Sequence, residues 1–373
     1  MSNHDQEAQM KQGPQPRSLA VILLALGCLV FAPLARADYD PLGSGSTKLS
    51  LDKSFLALLE QNGVKLSATA PARLSGGAVT FPVTAGKFDP TAAKGTLEHE
   101  GALVFTAGNR SIPLKALQLK TTQKHSPLSA KAGGSQLKIA TAKRLVVSRN
   151  GFGDKVKVTS LSLSAKLATR LGKKLRLKSV FEPGMALGQT LSNAQPQTIA
   201  VLGEGKASFS FDPGIEAKLR DLFVAVNPIF PAEHIGSVFT LPIFGGTIAP
   251  DGSQGTLETS GSLEFLQLGG GQTFWAEDWL DLAAKTASPE VDVQPSPPFP
   301  GKLGRTVVAT FAFTAPPVAD AKARTVAVTS AALVLDAATA ATFNELFAKP
   351  QGKDSVFSAG EALGSVSFTA QGQ

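Results

Sequence analysis

The sequence predicts a mainly β protein built as two tandem domains, each a β-sandwich or flattened barrel with one or two short helices. Three observations carry this expectation. One long phrase occurs twice, apolar residues alternate at period two between glycine-marked turns, and each copy opens with a strand running into an aspartate that can cap a helix.

The repeated phrase comes first. Residues 81–105, FPVTAGKFDPTAAKGTLEHEGALVF, align without a gap with residues 241–265, LPIFGGTIAPDGSQGTLETSGSLEF, at an offset of 160. Upstream, Leu49-Ser50-Leu51-Asp52 faces Phe209-Ser210-Phe211-Asp212. Downstream, Val156–Ser160 matches Val326–Ser330 at offset 170, and Ser179–Gly188 matches Ser355–Gly364 at offset 176. A repeat of this length is a duplicated domain, because solenoid units recur every ~20–50 residues. The second copy carries the extra residues, assigned to an insertion within 266–325.

Each element follows from its residues. Leu49-Ser50-Leu51 and Phe209-Ser210-Phe211 alternate as strands, and Asp52 and Asp212 cap the helices that follow. Pro213 suits the first helical position, where a missing N–H is harmless. Within the repeated phrase Leu97, Leu103 and Phe105 recur as Leu257, Leu263 and Phe265 at strand spacing. Gly86/Gly246, Gly95/Gly255 and Gly101/Gly261 mark turns or bulges. A second helix is expected from Ser164 to Leu177 and from Asp336 to Phe347.

The ends and composition assign a compartment. Lys11 and Arg17 precede an apolar run from Leu19 to Phe31, and Ala35-Arg36-Ala37 has the small-x-small form of a cleavage site, so residues 1–37 read as a cleaved signal peptide. A retained anchor is the alternative. Cys28 is the sole cysteine and lies inside that run, which leaves the mature chain without a thiol. Residues 38–46 read as a linker, 47–200 as the first domain and 201–373 as the second. The protein is expected to be secreted or extracellular, in association with the cell envelope. No transmembrane segment is expected after cleavage.

Charge separates the two copies. Residues 47–200 hold 23 Lys and Arg against 7 Asp and Glu, a balance of +16, and residues 201–373 hold 10 against 18, a balance of −8. The densest basic stretch is the second helix of the first domain, with Lys166, Arg170, Lys173, Lys174, Arg176 and Lys178. It could hold an envelope polyanion, dock on the acidic domain, or simply be a solvated face. Nucleic acid is not expected, since the stretch lacks interleaved aromatics.

No hydrolase elbow, zinc-protease helix or phosphate loop occurs, so no enzyme is expected. Metal-ligand spacing is also absent, and His125 and His234 read as isolated surface histidines. His99 shares a strand face with Leu97 and Leu103, and Thr259 is its counterpart. It is either a ligand-binding group in a pocket or a strand histidine bonded to a neighbour. Trp275 and Trp279 are the chain's two tryptophans and sit in the expected insertion. They form either an exposed aromatic contact surface for sugar, porphyrin or protein, or an edge strand or short helix that packs one tryptophan on the core.

The strand entering a capped helix, the Phe/Leu-Pro-Val/Ile-x-x-Gly turn and the G-T-L-x-x-x-G-x-L-x-F phrase together resemble the HtaA domain, a secreted β-rich module of actinobacterial cell-surface and haem-uptake proteins. The resemblance spans nearly all of both copies. It implies a non-catalytic binding protein and makes haem the implied ligand, with Ser54 and Phe55 matching part of the family's haem-contacting pattern. The family's ligating tyrosine falls on Leu58 and Lys218, and its supporting histidine on Gly108 and Leu268. Two functions therefore stand: a binder of haem or another hydrophobic ligand, with His99 as a replacement iron ligand, or an envelope adhesion or structural module acting through the basic first domain.

Overall fold

Each copy closes a ring of eight antiparallel strands. The structure is a computed structural model and describes residues 39–122, 126–294, 298–299 and 301–373. The expected leader with Cys28, and His125, lie outside the described residues.

In the first ring the strands neighbour one another in the order Arg110–Thr121, Lys94–His99, Ala78–Asp89, Asp40–Leu51, Ala186–Pro196, Gly153–Leu163, Ser135–Asn150 and Ser126–Ala132. The last strand pairs back onto the first, with Leu128 opposite Leu119. The second ring runs Gln272–Asp281, Gly255–Thr259, Val238–Ile248, Ile199–Phe211, Ala362–Gly372, Thr325–Leu335, Ala309–Phe313 and Thr286–Val293. It closes where Val291 pairs with Trp275. Short strands branch from each ring, among them Ala102–Ala107 and Lys65–Thr69 in the first copy and Ser262–Gln267 and Val224–Ile229 in the second. Of the two expected architectures, the barrel is the one observed.

Closure forces adjacent strands to coil tightly, and the repeated glycines permit it. Gly86 and Gly246 have φ of 137° and 110°. A Cβ at either would lie 2.1 or 2.0 Å from the carbonyl oxygen of Thr96 or Thr256 on the neighbouring strand. Any larger residue would open the ring at that point.

The helices fall where the caps predict. They are α1 (Lys53–Gln61), α2 (Ala165–Leu175), α3 (Pro213–Asp221) and α4 (Ala337–Phe343), and α4 continues through a wider turn to Ala348. Asp52, Ser164, Asp212 and Asp336 each accept a backbone N–H from the first turn. α2 buries Leu167, Leu171 and Leu175 and turns its basic residues outward. Each ring has its own core, with Phe81, Leu97 and Val156 in the first and Phe265, Phe343 and Phe347 in the second.

Two boundaries are corrected. Residues 40–46, expected as linker, form the first half of the strand Asp40–Leu51, in which Asp40 and Leu42 are buried. The tryptophan segment, expected as insertion, is barrel wall and the counterpart of Arg110–Thr121. Pairing requires this: Glu258 faces Trp279 as Glu98 faces Gln118. The additional strands of the second copy, Lys302–Arg305 and Val318–Asp320, fall inside the expected range 266–325.

The two barrels belong to one compact unit. Arg324 Nη1 of the second donates to Gly151 O of the first at 2.6 Å, and Ala200 N donates to Asp40 Oδ1 at 3.3 Å. Arg324 also lies within electrostatic reach of Asp40, Arg149 and Asp154. Both Asp154 oxygens are buried without a hydrogen-bond partner. Burial raises the Asp154 carboxyl to about 6 against the pull of Arg149. Here the acidic domain contributes a cation, Arg324, to a cluster in which the basic domain supplies the carboxylates Asp40 and Asp154 as well as Arg149.

Candidate functional site

An eight-stranded barrel has an interior just wide enough for side chains to fill it, or for one small ligand. The two copies take these two options. In the first barrel His99 is 3% exposed and fills the centre. Its Nδ1 lies 2.9 Å from Leu117 O and its Nε2 2.6 Å from Thr47 Oγ1. Thr47 Oγ1 is in turn 2.8 Å from Ser192 Oγ. Burial lowers the His99 pKa to about 4, outweighing the Leu117 bond and the nearby Glu98 charge, so the ring is neutral. A carbonyl can only accept, which fixes the ring proton on Nδ1. Thr47 Oγ1 donates to Ser192 Oγ.

The second barrel holds smaller groups at three of these places and a larger one, Phe368 for Ser192, at a fourth. Strand register sets the equivalences: Thr47 faces Phe81 and Ser192 in the first ring, and Ala207 faces Leu241 and Phe368 in the second. Val83 faces His99 as Ile243 faces Thr259. His99, Thr47 and Phe81 thus become Thr259, Ala207 and Leu241. These three line a cavity of about 50 Å³, together with Phe209, Leu263, Trp275, Leu280 and Val366. Phe209 is only partly buried among them. The wall residue Trp275 is 7% exposed and stacks on Phe343 at 5.6 Å.

One charged group points into this apolar space. Both barrels have a β-bulge at the same place in the wall strand, with positive φ at Ala116 (46°) and Glu277 (48°). The next residue is turned inward: Leu117 in the first copy and Asp278 in the second. Thr259 Oγ1 donates to Asp278 O at 3.2 Å, repeating the His99–Leu117 bond. The Asp278 carboxyl oxygen Oδ1 is buried without a hydrogen-bond partner. Burial pushes its pKa up to about 6, against backbone N–H groups of Ser288 and Trp279 and the charge of Arg305. Arg305 itself sits on the outside. It donates to the carbonyls of Glu277 and Ser288, pairs with Glu290 at 3.4 Å and covers the Trp279 ring at 4.2 Å.

The remaining candidates separate by role. Ser54 N and Oγ both bond Asp52 Oδ1, closing the α1 cap. Phe55 is 1% exposed and packs on Phe105 and Phe181. Trp279 is 41% exposed, so of the two tryptophans only Trp275 is core. On α2, Lys166, Arg170, Lys173 and Lys174 line one open concavity with Leu137 and Thr169, and Arg170 also donates to Ala132 O at 2.9 Å. Arg176 and Lys178 lie beyond the helix, exposed and outside that concavity. His234 is exposed in the short strand Glu233–Ile235 and stacks on Phe239 at 4.0 Å. Sequence reading missed Asp278, because at the offset of 160 it aligns with Gln118 and only the strand pairing makes it the counterpart of Leu117.

The comparisons with known proteins are few. No protein-family model matches the sequence, and no curated protein matches it. Among solved structures, the chain is similar to the N-terminal domain of HtaA from Corynebacterium glutamicum, with 19% identity, a TM-score of 0.36, and coverage of 46% of this chain and 99% of that one. It is likewise similar to the C-terminal domain of the same protein, with 13% identity, a TM-score of 0.34, and coverage of 42% and 98%.

Among the described residues no haem-iron ligand of the kind the HtaA resemblance implies is in place. By that resemblance the ligating tyrosine falls on Leu58 and on Lys218, and Lys218 is paired with Glu361. Tyr39 lies under Lys87, whose Nζ is 5.0 Å from the ring centroid. His99 has both ring nitrogens engaged. Among the described residues no group of three His, Cys, Asp or Glu side chains is placed to hold a metal ion.

Proposed function

We propose that this chain is a secreted, non-catalytic binding protein of the HtaA kind, acting at the cell envelope, and that the interior of its second barrel holds a small hydrophobic ligand. The HtaA assignment rests on the repeated phrase and its glycines. Secretion rests on the leader-like N-terminus, and no helix among the described residues is long and apolar enough to cross a membrane. The observation that carries the ligand reading is the paired exchange of His99, Thr47 and Phe81 for Thr259, Ala207 and Leu241. Interiors normally pack without voids larger than a water molecule, and these three reductions leave one in spite of the larger Phe368 in place of Ser192; an apolar hollow of this kind is suited to a hydrocarbon guest. The volume suits a short aliphatic group rather than a porphyrin. The test is binding of 1-chlorobutane, followed by amide NMR shifts around Ala207 and Thr259. Absence of saturable shifts there would remove the reading.

A second reading is favoured by the α2 concavity. Four cations around one depression suit an anionic polymer of the envelope, held with an affinity that falls steeply with salt. The two readings are compatible, since one uses a barrel interior and the other a helix surface of the other domain.

A further inference from the structure

We infer that the second barrel's ligand is a small apolar amine, whose alkyl part occupies the cavity and whose protonated nitrogen is received by Asp278 Oδ1. This rests on the preceding reading that the interior takes a ligand at all.

The argument starts from what the second copy gained. Hollowing a barrel for a hydrocarbon requires smaller apolar residues and nothing else. Leu117 shows that the inward position after the bulge accepts an apolar side chain, and in the first copy it is 3% exposed. The second copy carries a carboxyl there, aimed among Leu263, Trp275 and Leu280. Asp278 is half-buried, with the backbone N–H groups of Ser288 and Trp279 and the charge of Arg305 beside its carboxyl, but Oδ1 itself is buried without a hydrogen-bond partner, and a buried acceptor left unmet is costly. Arg305 does not do so from inside, because its guanidinium bonds the strand carbonyls and Glu290 on the outer face. Thr259 does not either, because its hydroxyl is directed to Asp278 O.

What remains unmet is one acceptor oxygen on a group able to carry negative charge, in an apolar room of about 50 Å³. The complement is one cationic donor on a short hydrocarbon. A neutral alkane would leave the oxygen unsatisfied, and an acid would repel it. A charge-assisted N–H···O bond in such surroundings is both strong and directional.

The test compares butylamine with 1-chlorobutane, which matches it in length and has no donor. Amide shifts of the full chain are followed at neutral pH, in wild type and in Asp278→Leu, which restores the residue of the first copy. Butylamine should bind wild type at least ~10-fold more tightly than 1-chlorobutane, a difference of about 1.4 kcal/mol. Asp278→Leu should abolish this preference while still binding 1-chlorobutane. Equal binding of the two compounds to wild type, or a preference that survives in Asp278→Leu, overturns the amine inference and leaves the hydrophobic reading standing. Binding of neither compound overturns both. If Asp278→Leu does not fold, Asp278→Asn serves the same comparison, since the amide removes the charge at nearly constant shape.

Discussion

His99 and Thr259 occupy the same position in the two barrels and hydrogen-bond the same strand carbonyl, that of Leu117 in one and Asp278 in the other. The backbone is thereby held alike while the interiors diverge. An imidazole fills the first barrel and continues into the hydroxyls of Thr47 and Ser192. A threonine leaves room in the second, and the room is where Asp278 points.

The divergence should be exchangeable by mutation. Ala207→Thr combined with Thr259→His should fill the second barrel and abolish 1-chlorobutane shifts, with the fold kept as judged by far-UV circular dichroism. The converse pair, Thr47→Ala with His99→Thr, removes a filled centre and strands the Ser192 hydroxyl. It should destabilise the chain by about 2–5 kcal/mol in urea unfolding.

Two buried carboxyls should give a stability slope with pH. Asp154, facing Arg149, Asp40, Arg324 and Asp89, and Asp278, facing Arg305, both have folded-state pKa values raised to about 6 from 3.8. The folded state then holds more protons than the unfolded one between those values. Their stabilising contribution is therefore full below pH ~4 and lost as pH rises through ~6. His99 works oppositely: its pKa is lowered to about 4 from 6.5, so its contribution is lost as pH falls through that window. Asp154→Asn and Asp278→Asn should each gain up to about 3 kcal/mol relative to wild type between pH 4 and pH 7. Urea midpoints of the three proteins across that range check the sign. A gap that stays constant would mean neither carboxyl is perturbed.

The basic concavity predicts a salt-sensitive partner. Lys173→Glu with Lys174→Glu should weaken retention on an immobilised polyphosphate by ten-fold or more at low salt, by order of magnitude, without changing the melting temperature, because both side chains are exposed. Arg176→Ala, outside the concavity, should have a smaller effect. Equal losses for both would mean that net charge alone governs retention.

Haemin should not find an iron ligand among the described residues. Titration is expected to give a broad, non-saturating Soret band that is the same in His99→Ala. A sharp saturable band lost in that variant would show that the His99 ring abandons Leu117 and Thr47 for iron.

The duplication, the β class, the capped helices and the glycine positions were legible in the sequence. Each is a local or periodic property: alternation marks a strand, Asp52 or Ser164 marks a helix start, and a glycine recurring at a fixed offset marks a strained backbone. Ring closure and the contents of the two interiors were decided by tertiary structure, because they depend on which residues meet across strands far apart in the chain. Asp278 shows why. Counting by alternation from the inward Trp275 puts Glu277 and Trp279 inside and Asp278 outside. The bulge at Glu277 inserts one residue and inverts that parity, so the carboxyl enters the core and Trp279 goes to the surface under Arg305. A one-residue change of register leaves no trace in composition or periodicity, and in this barrel it places the charge that the cavity surrounds.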